Sequence, residues 1–221
     1  MDEAPHDPEK QLAADVATVL RPAALLWMTQ WIGAGIWAHL GWRFAGLSAS
    51  AFWNVWYVIF AVMVGVFVFR DPEARRVFAK PRKSAVEMVL LIGAVAWLID
   101  YQWVAWLYPD RSYSAYQESA GASELPIVLF WIALMPALFE EWMFRGLLLS
   151  RFRRVLPLNW AIAGQAMLFS LMHFDHYMLL PHFFFGCVAG VLRVVAGGLW
   201  PCMLWHFAWN AACVAWPNGF L

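Results

Sequence analysis

The chain has 221 residues, of which 63% are hydrophobic and only 14% charged, with 16 Trp. That balance excludes an ordinary soluble domain of this size, and a formal net charge of zero offers no basic surface for nucleic acid. Backbone groups in lipid must be satisfied within helices or a closed barrel. The apolar runs here are continuous rather than alternating, so the expected fold is all-α: a polytopic transmembrane helical bundle of about seven to eight helices.

Residues 1–21 read as a polar N-terminal segment. Met1 to Lys10 is acidic, contains Pro5 and Pro8, and lacks the basic stretch that opens a cleaved signal peptide. The first span is therefore expected to be retained. Residues 22–221 read as one transmembrane domain, with apolar segments near 22–42, 51–69, 85–107, 124–150, 158–175, 178–199 and 201–216. Two long polar breaks separate them. Arg70–Ser84 carries Arg70, Arg75, Arg76, Lys80, Arg82 and Lys83, whereas Pro109–Glu124 has Arg111 as its one basic residue. A third, short break is expected around Arg151, Arg153 and Arg154. Positive-inside bias puts the first and third breaks in the cytoplasm and the second outside. The N-terminus is then cytoplasmic and, with seven full crossings, the C-terminus external. The expected location is a prokaryotic inner (cell) membrane, with the bilayer itself as a partner.

The fourth segment holds the most informative residues. Glu140 and Glu141 are adjacent inside an apolar run from Leu125 to Arg145. One carboxylate at bilayer depth costs roughly 2.5–3.5 kcal/mol even on the gentler insertion scales. Both must face a protein interior or a water-filled cavity, and a functional site is the default reading. Three polar patches interrupt the later segments. Glu141-x-x-x-Arg145, Phe169-x-x-x-His173 and His206-x-x-x-Asn210 use the i, i+4 spacing that puts two side chains on one helix face. Glu141 and Arg145 can pair along their helix, while Glu140 points about 100° away toward a different partner. Pro136, one turn before Glu140, frees the carbonyl of Ile132 and can kink the helix beside the site.

Singly, each piece has a plain structural explanation: an ion pair, a helix–helix hydrogen bond, a packing phenylalanine. Together they suit hydrolysis. A carboxylate can serve as general base, histidines can orient water or shuttle protons, and an Asn amide can donate to a developing oxyanion. The residues alone allow either glutamate as the base.

The ordered set Glu-Glu-x-x-x-Arg, Phe-x-x-x-His and His-x-x-x-Asn resembles the CPBP family of intramembrane proteases, which includes the CAAX-processing Rce1-type proteases and bacterial Abi proteins. The resemblance covers Glu140 to Asn210. It implies an intramembrane endopeptidase that cleaves a membrane-anchored or lipidated protein or peptide with a glutamate-activated water. By position it implies Glu140 as base, His173 holding the water or scissile carbonyl, His206 and Asn210 at the oxyanion, and Glu141, Arg145 and Phe169 in support. The reading from a different class is a non-catalytic membrane protein, a carrier or an assembly or immunity factor, whose buried charges form a structural or proton-relay network. A carrier would favour inverted repeats with matching broken helices, and the sequence has no such repeat.

No cofactor is expected. Two His and a Glu could ligate zinc, but the His-Glu-x-x-His helix of common zinc proteases is absent, and Asn is a better amide donor than zinc ligand. Cys187, Cys202 and Cys213 sit in apolar segments without zinc-type spacing and read as packing residues. Asp175 and His176 read as interfacial, His182 and His39 as structural, and Asp100 has no evident partner. Gly186-x-x-x-Gly190 reads as a close-packing motif. Depth is the one discord. At about 1.5 Å rise per residue, Glu140 lies near mid-membrane, His173 toward the external end of its span and His206 toward the cytoplasmic end. Convergence requires a tilted, short or re-entrant span, or a span count that is off by one.

Overall fold

The structure is a computed structural model, and it describes residues 49–71, 125–173 and 176–215, with scattered positions between 10 and 36 and between 87 and 106. Asp100, His39, Asp175 and the basic cluster from Arg75 to Lys83 lie outside the described residues. Among those described, every regular element is helical and none is a strand.

Helix α1 spans Ala49–Arg70. Helix α2 runs without a break over Leu125–Val155, α3 over Leu158–Met172, α4 over Leu179–Ala196 and α5 over Trp200–Ala215. The five apolar segments that fall on described residues, near 51–69, 124–150, 158–175, 178–199 and 201–216, coincide with these helices to within about five residues, with one correction, and those near 22–42 and 85–107 lie mostly outside the described residues. Arg151, Arg153 and Arg154 are not in a loop: they form the last turns of α2, where cations favour the negative end of the helix dipole. The break falls instead at Leu156, which is extended, because Pro157 disfavours helical geometry in the residue before it. Arg151 also donates to Asp71 at 2.9 Å, tying the end of α2 to the end of α1.

By length and composition, α2 and α4 pass as membrane-crossing helices, and α1, with 22 residues, is also long enough for a straight crossing. Helix α3, with 15 residues, and α5, with 16, are shorter than the roughly 20 residues a straight crossing needs.

The pattern of burial is inside-out relative to a water-soluble protein. Leu204 is 64% exposed and Val62 60%, whereas Glu141 and Arg145 are 0% exposed. Apolar faces turned outward and charges turned inward suit a hydrocarbon surround. The main core joins Phe60, Val64 and Val68 of α1 to Phe144 and Leu147 of α2, Phe169 of α3, Phe185 of α4 and Trp209 of α5.

Two wider, π-type stretches interrupt α2, at Leu129–Leu134 and Trp142–Leu148. The first sits directly before Pro136, whose missing N–H breaks the regular ladder. There the Met135 N–H reaches back to Phe130 O, five residues away. Such bulges frequently mark functional sites. Helix α4 ends at Gly197, whose φ of 73° is the left-handed geometry glycine adopts without a Cβ penalty.

Helices α3 and α4 touch most closely at Gly186. A Cβ there would lie 2.8 Å from the Cα of Ala166, and one at Gly190 would meet Ile162 and Gln165, so the Gly186-x-x-x-Gly190 motif is a packing device. Gly186→Ala forces backbone apart rather than a flexible side chain, and overpacking of this kind typically costs about 1–3 kcal/mol. The expected result is a lower melting temperature in detergent. An unchanged melting curve would mean that the two helices do not approach at this glycine.

Candidate active site

Helices α1 to α5 enclose a cavity of about 320 Å³. Its polar lining comes from Asn54 and Tyr57 of α1, Glu140 of α2, His173 at the end of α3, His182 of α4, and His206 and Asn210 of α5. Trp131, Ile132, Pro136, Met178, Pro181, Phe185 and Trp209 supply apolar wall. Four residues singled out in the sequence, Glu140, His173, His206 and Asn210, therefore share one space although they sit on three helices.

The two glutamates are separated by their helical offset. Glu141 faces away from the cavity and is fully buried. Its Oε1 accepts from Arg145 Nη1 at 2.8 Å and from His206 Nδ1 at 2.8 Å. The i, i+4 pair thus forms as its spacing predicts. Arg145 also donates through Nη2 to Gly186 O at 3.3 Å, and its guanidinium lies 4.6 Å from the Phe169 ring centroid, within cation–π range. Arg145 therefore joins α2, α3 and α4 through one planar group whose fork of donors suits such bridging.

Glu140 stands on the cavity wall. Its Oε1 accepts from the Tyr57 hydroxyl at 3.3 Å, and its Oε2 has no protein partner.

Both motif histidines are anchored through the same nitrogen. His173 Nδ1 lies 2.8 Å from Phe169 O, and a carbonyl can only accept, so Nδ1 carries the proton. His206 Nδ1 donates to the Glu141 carboxylate. In each ring Nε2 is left for the cavity, with an acceptor lone pair when the ring is neutral. Phe169 sits between them: its ring centroid is 4.6 Å from that of His173 and 6.2 Å from that of His206. The Phe-x-x-x-His spacing thus makes Phe169 a platform for both imidazoles and for Arg145.

Asn210 Nδ2 donates to Ile132 O at 2.9 Å. Ile132 is the carbonyl that Pro136 releases, so the break in α2 is met by a side chain from α5. An amide nitrogen carries two N–H groups, and this bond uses one of them.

Three participants were passed over in the sequence. His182 had been read as structural, yet it lines the cavity and stacks on His173 with centroids 3.9 Å apart. Only the fold brings the start of α4 against the end of α3. Tyr57 is the second. Asn54-x-x-Tyr57 is a polar pair at i, i+3 inside an apolar run, and that spacing was the available signal. Gln165, wholly buried in mid-α3, donates to Gly186 O at 2.8 Å and shares that carbonyl with Arg145. An amide in mid-span was its signal. His176 is exposed, in keeping with an interfacial position.

As for metal, the donors on the cavity are one carboxylate and three imidazoles. The second carboxylate is taken up by Arg145 and His206. Among the described residues no group of three or more His, Cys, Asp or Glu is placed to hold a metal ion.

Residues 122–212 match a family model described as type II CAAX prenyl endopeptidase, Rce1-like. The matched stretch contains all three motifs. No curated protein and no solved structure matches the chain.

Proposed function

We propose that this Rce1-like chain is an intramembrane endopeptidase, a multi-pass protein of a prokaryotic inner membrane, in which Glu140 activates the attacking water. The observation that carries the reading is the division of labour between the two carboxylates. Glu140 lines the cavity and its Oε1 meets a neutral hydroxyl, whereas Glu141 is absent from the cavity lining and its Oε1 is held by Arg145 and His206; in both carboxylates Oε2 has no protein partner. A general base must reach the proton it takes, and of the two carboxylates Glu140 is the one on the cavity wall.

In the proposed reaction Glu140 Oε2 takes a proton from water as the water oxygen bonds to the scissile carbonyl carbon. The carbonyl π electrons move onto its oxygen. His173 holds the water by accepting one of its hydrogens at Nε2. The second N–H of Asn210 donates to the developing oxyanion, and His206 does so through Nε2 in its imidazolium form, with Nδ1 held by Glu141. When the C–N bond breaks, the proton on Glu140 passes to the departing nitrogen. Glu141 and Arg145 hold His206 in orientation, and Phe169 holds both rings. No metal takes part in this scheme.

The proposed substrate is a membrane-anchored protein or peptide, with a prenylated tail as the favoured class because of the family match. A cavity framed by helices with apolar outer faces admits substrates that partition into lipid. The scissile segment must be extended, since a helical backbone keeps its carbonyls in hydrogen bonds. The test is cleavage of one prenylated or otherwise membrane-anchored peptide by purified protein, across variants of graded helix propensity around the scissile bond. Helix-breaking residues there are expected to speed cleavage and Ala/Leu replacements to slow it. Equal rates across the series, or efficient cleavage of an unanchored soluble peptide, would overturn the proposal. Activity is expected to survive exhaustive chelation; loss that zinc restores would replace the water-activating carboxylate with a metal.

A further inference from the structure

We infer that Tyr57 of α1, outside the stretch matched by the family model, is a positioning residue that fixes the Glu140 carboxylate for its work as base. The inference rests on the glutamate-base reading above and adds the fourth helix of the catalytic apparatus.

The two carboxylates are held very differently. Glu141 accepts from a guanidinium and an imidazole. Glu140 accepts from Tyr57 Oη, and Tyr57 is its one protein donor among the described residues, since Oε2 has none. A glutamate side chain has several rotatable bonds, and without a donor its carboxylate is free to turn away from the cavity. Tyrosine suits the task because only two torsions place its hydroxyl. The Tyr57 ring is itself braced against the core, with its centroid 5.7 Å from that of Phe60.

The type of donor matters as much as its presence. A phenol orients a carboxylate without setting a formal positive charge beside a group that must accept a proton. Arg145 does the opposite for Glu141. Occupying Oε1 also makes the two oxygens unequal, because Oε2 is left without a protein partner. Tyr57 and Glu140 both line the cavity, so the hydroxyl stands at the reaction space and not behind it.

The experiment compares wild type, Tyr57→Phe and Glu140→Gln in detergent on one membrane-anchored peptide, with kcat, KM and melting temperature measured for each. Phe keeps the ring and its packing and removes the hydroxyl alone. The expected result for Tyr57→Phe is a fall in kcat of about tenfold, the scale of one hydrogen bond to an ionised group, with KM within about twofold and an unchanged melting temperature. If the variant melts lower, single-turnover rates per folded molecule are compared instead. A wild-type rate per folded molecule overturns the inference, as does a raised KM at unchanged kcat, which would make Tyr57 a substrate-binding residue. The Glu140→Gln arm separates the two layers. Inactive Glu140→Gln beside fully active Tyr57→Phe sinks only the role of Tyr57, whereas active Glu140→Gln sinks the glutamate-base reading as well.

Discussion

Glu140→Gln is expected to lower turnover by about 10²–10⁴-fold, the usual contribution of a positioned general base, while leaving the fold intact. The replacement keeps the size and shape of the side chain. Its carbonyl oxygen can still accept from the Tyr57 hydroxyl, now 3.3 Å from Oε1, so the contact between α1 and α2 survives. What disappears is the acceptor at Oε2, which becomes an amide nitrogen. The measurement is cleavage of a membrane-anchored peptide by purified wild-type and variant protein, with thermal melting in detergent as the control for folding. A Gln variant that cleaves at near wild-type rate removes Glu140 from the role of base. The rival reading, a carrier or assembly factor with a buried charge network, would leave both proteins inactive toward every anchored peptide.

Arg145→Ala is expected to be damaging in another way, through stability. Glu141 and Arg145 are both fully excluded from solvent and pair at 2.8 Å. Removing one member of such a pair strands the other charge in a low-dielectric interior, which typically costs about 3–5 kcal/mol. Arg145→Ala also takes away a donor to Gly186 O and the cation over Phe169, so the joint between α2, α3 and α4 loosens. Expression and melting temperature should both fall, and activity with them. The double variant Glu141→Gln/Arg145→Met tests the cause. It has no charge left at the pair, so it should recover much of the melting temperature lost in Arg145→Met alone. Wild-type melting with no activity in Arg145→Ala would contradict the structural role and argue for direct action on substrate. Failure of the double variant to recover would assign the loss to packing and the Gly186 bond rather than to a stranded charge.

The two outcomes separate the carboxylates by function, and the separation follows from one residue of helical offset. Adjacent positions differ by about 100° around the axis. Glu140 is thereby turned to the cavity and to Tyr57, and Glu141 to Arg145 and His206. The widened stretch that begins at Trp142 follows immediately, and Arg145 still reaches Glu141 across it.

Much of this was determined by the sequence alone, because it depends on relations within one helix. Composition and unbroken apolar runs required helices suited to lipid. The spacing Glu141-x-x-x-Arg145 required an ion pair on one face, and Pro136 required an unpaired carbonyl at Ile132. Those are local consequences of chain geometry and need no knowledge of neighbours. The end of α2 has a cause of the same scale: three arginines close together suggest a loop, whereas the first residue unable to stay helical is Leu156, ahead of Pro157.

Only the tertiary structure decided what lies across from each residue. Nothing in the order of residues says that Asn210 meets the Ile132 carbonyl, that His206 shares Glu141 with Arg145, or that His182 stacks on His173. Nor does it place Tyr57, 83 residues away in the chain, against Glu140. These are contacts between helices, set by which faces pack together and how closely. That closeness depends on small residues such as Gly186, where the absence of one Cβ lets α4 settle against Ala166 and brings the start of α4 to the cavity. A periodic pattern tells which side chains share a face. The convergence of five such faces on one cavity is a property of their packing, and so is the difference between a glutamate that can accept a proton from water and one that is tied to an arginine.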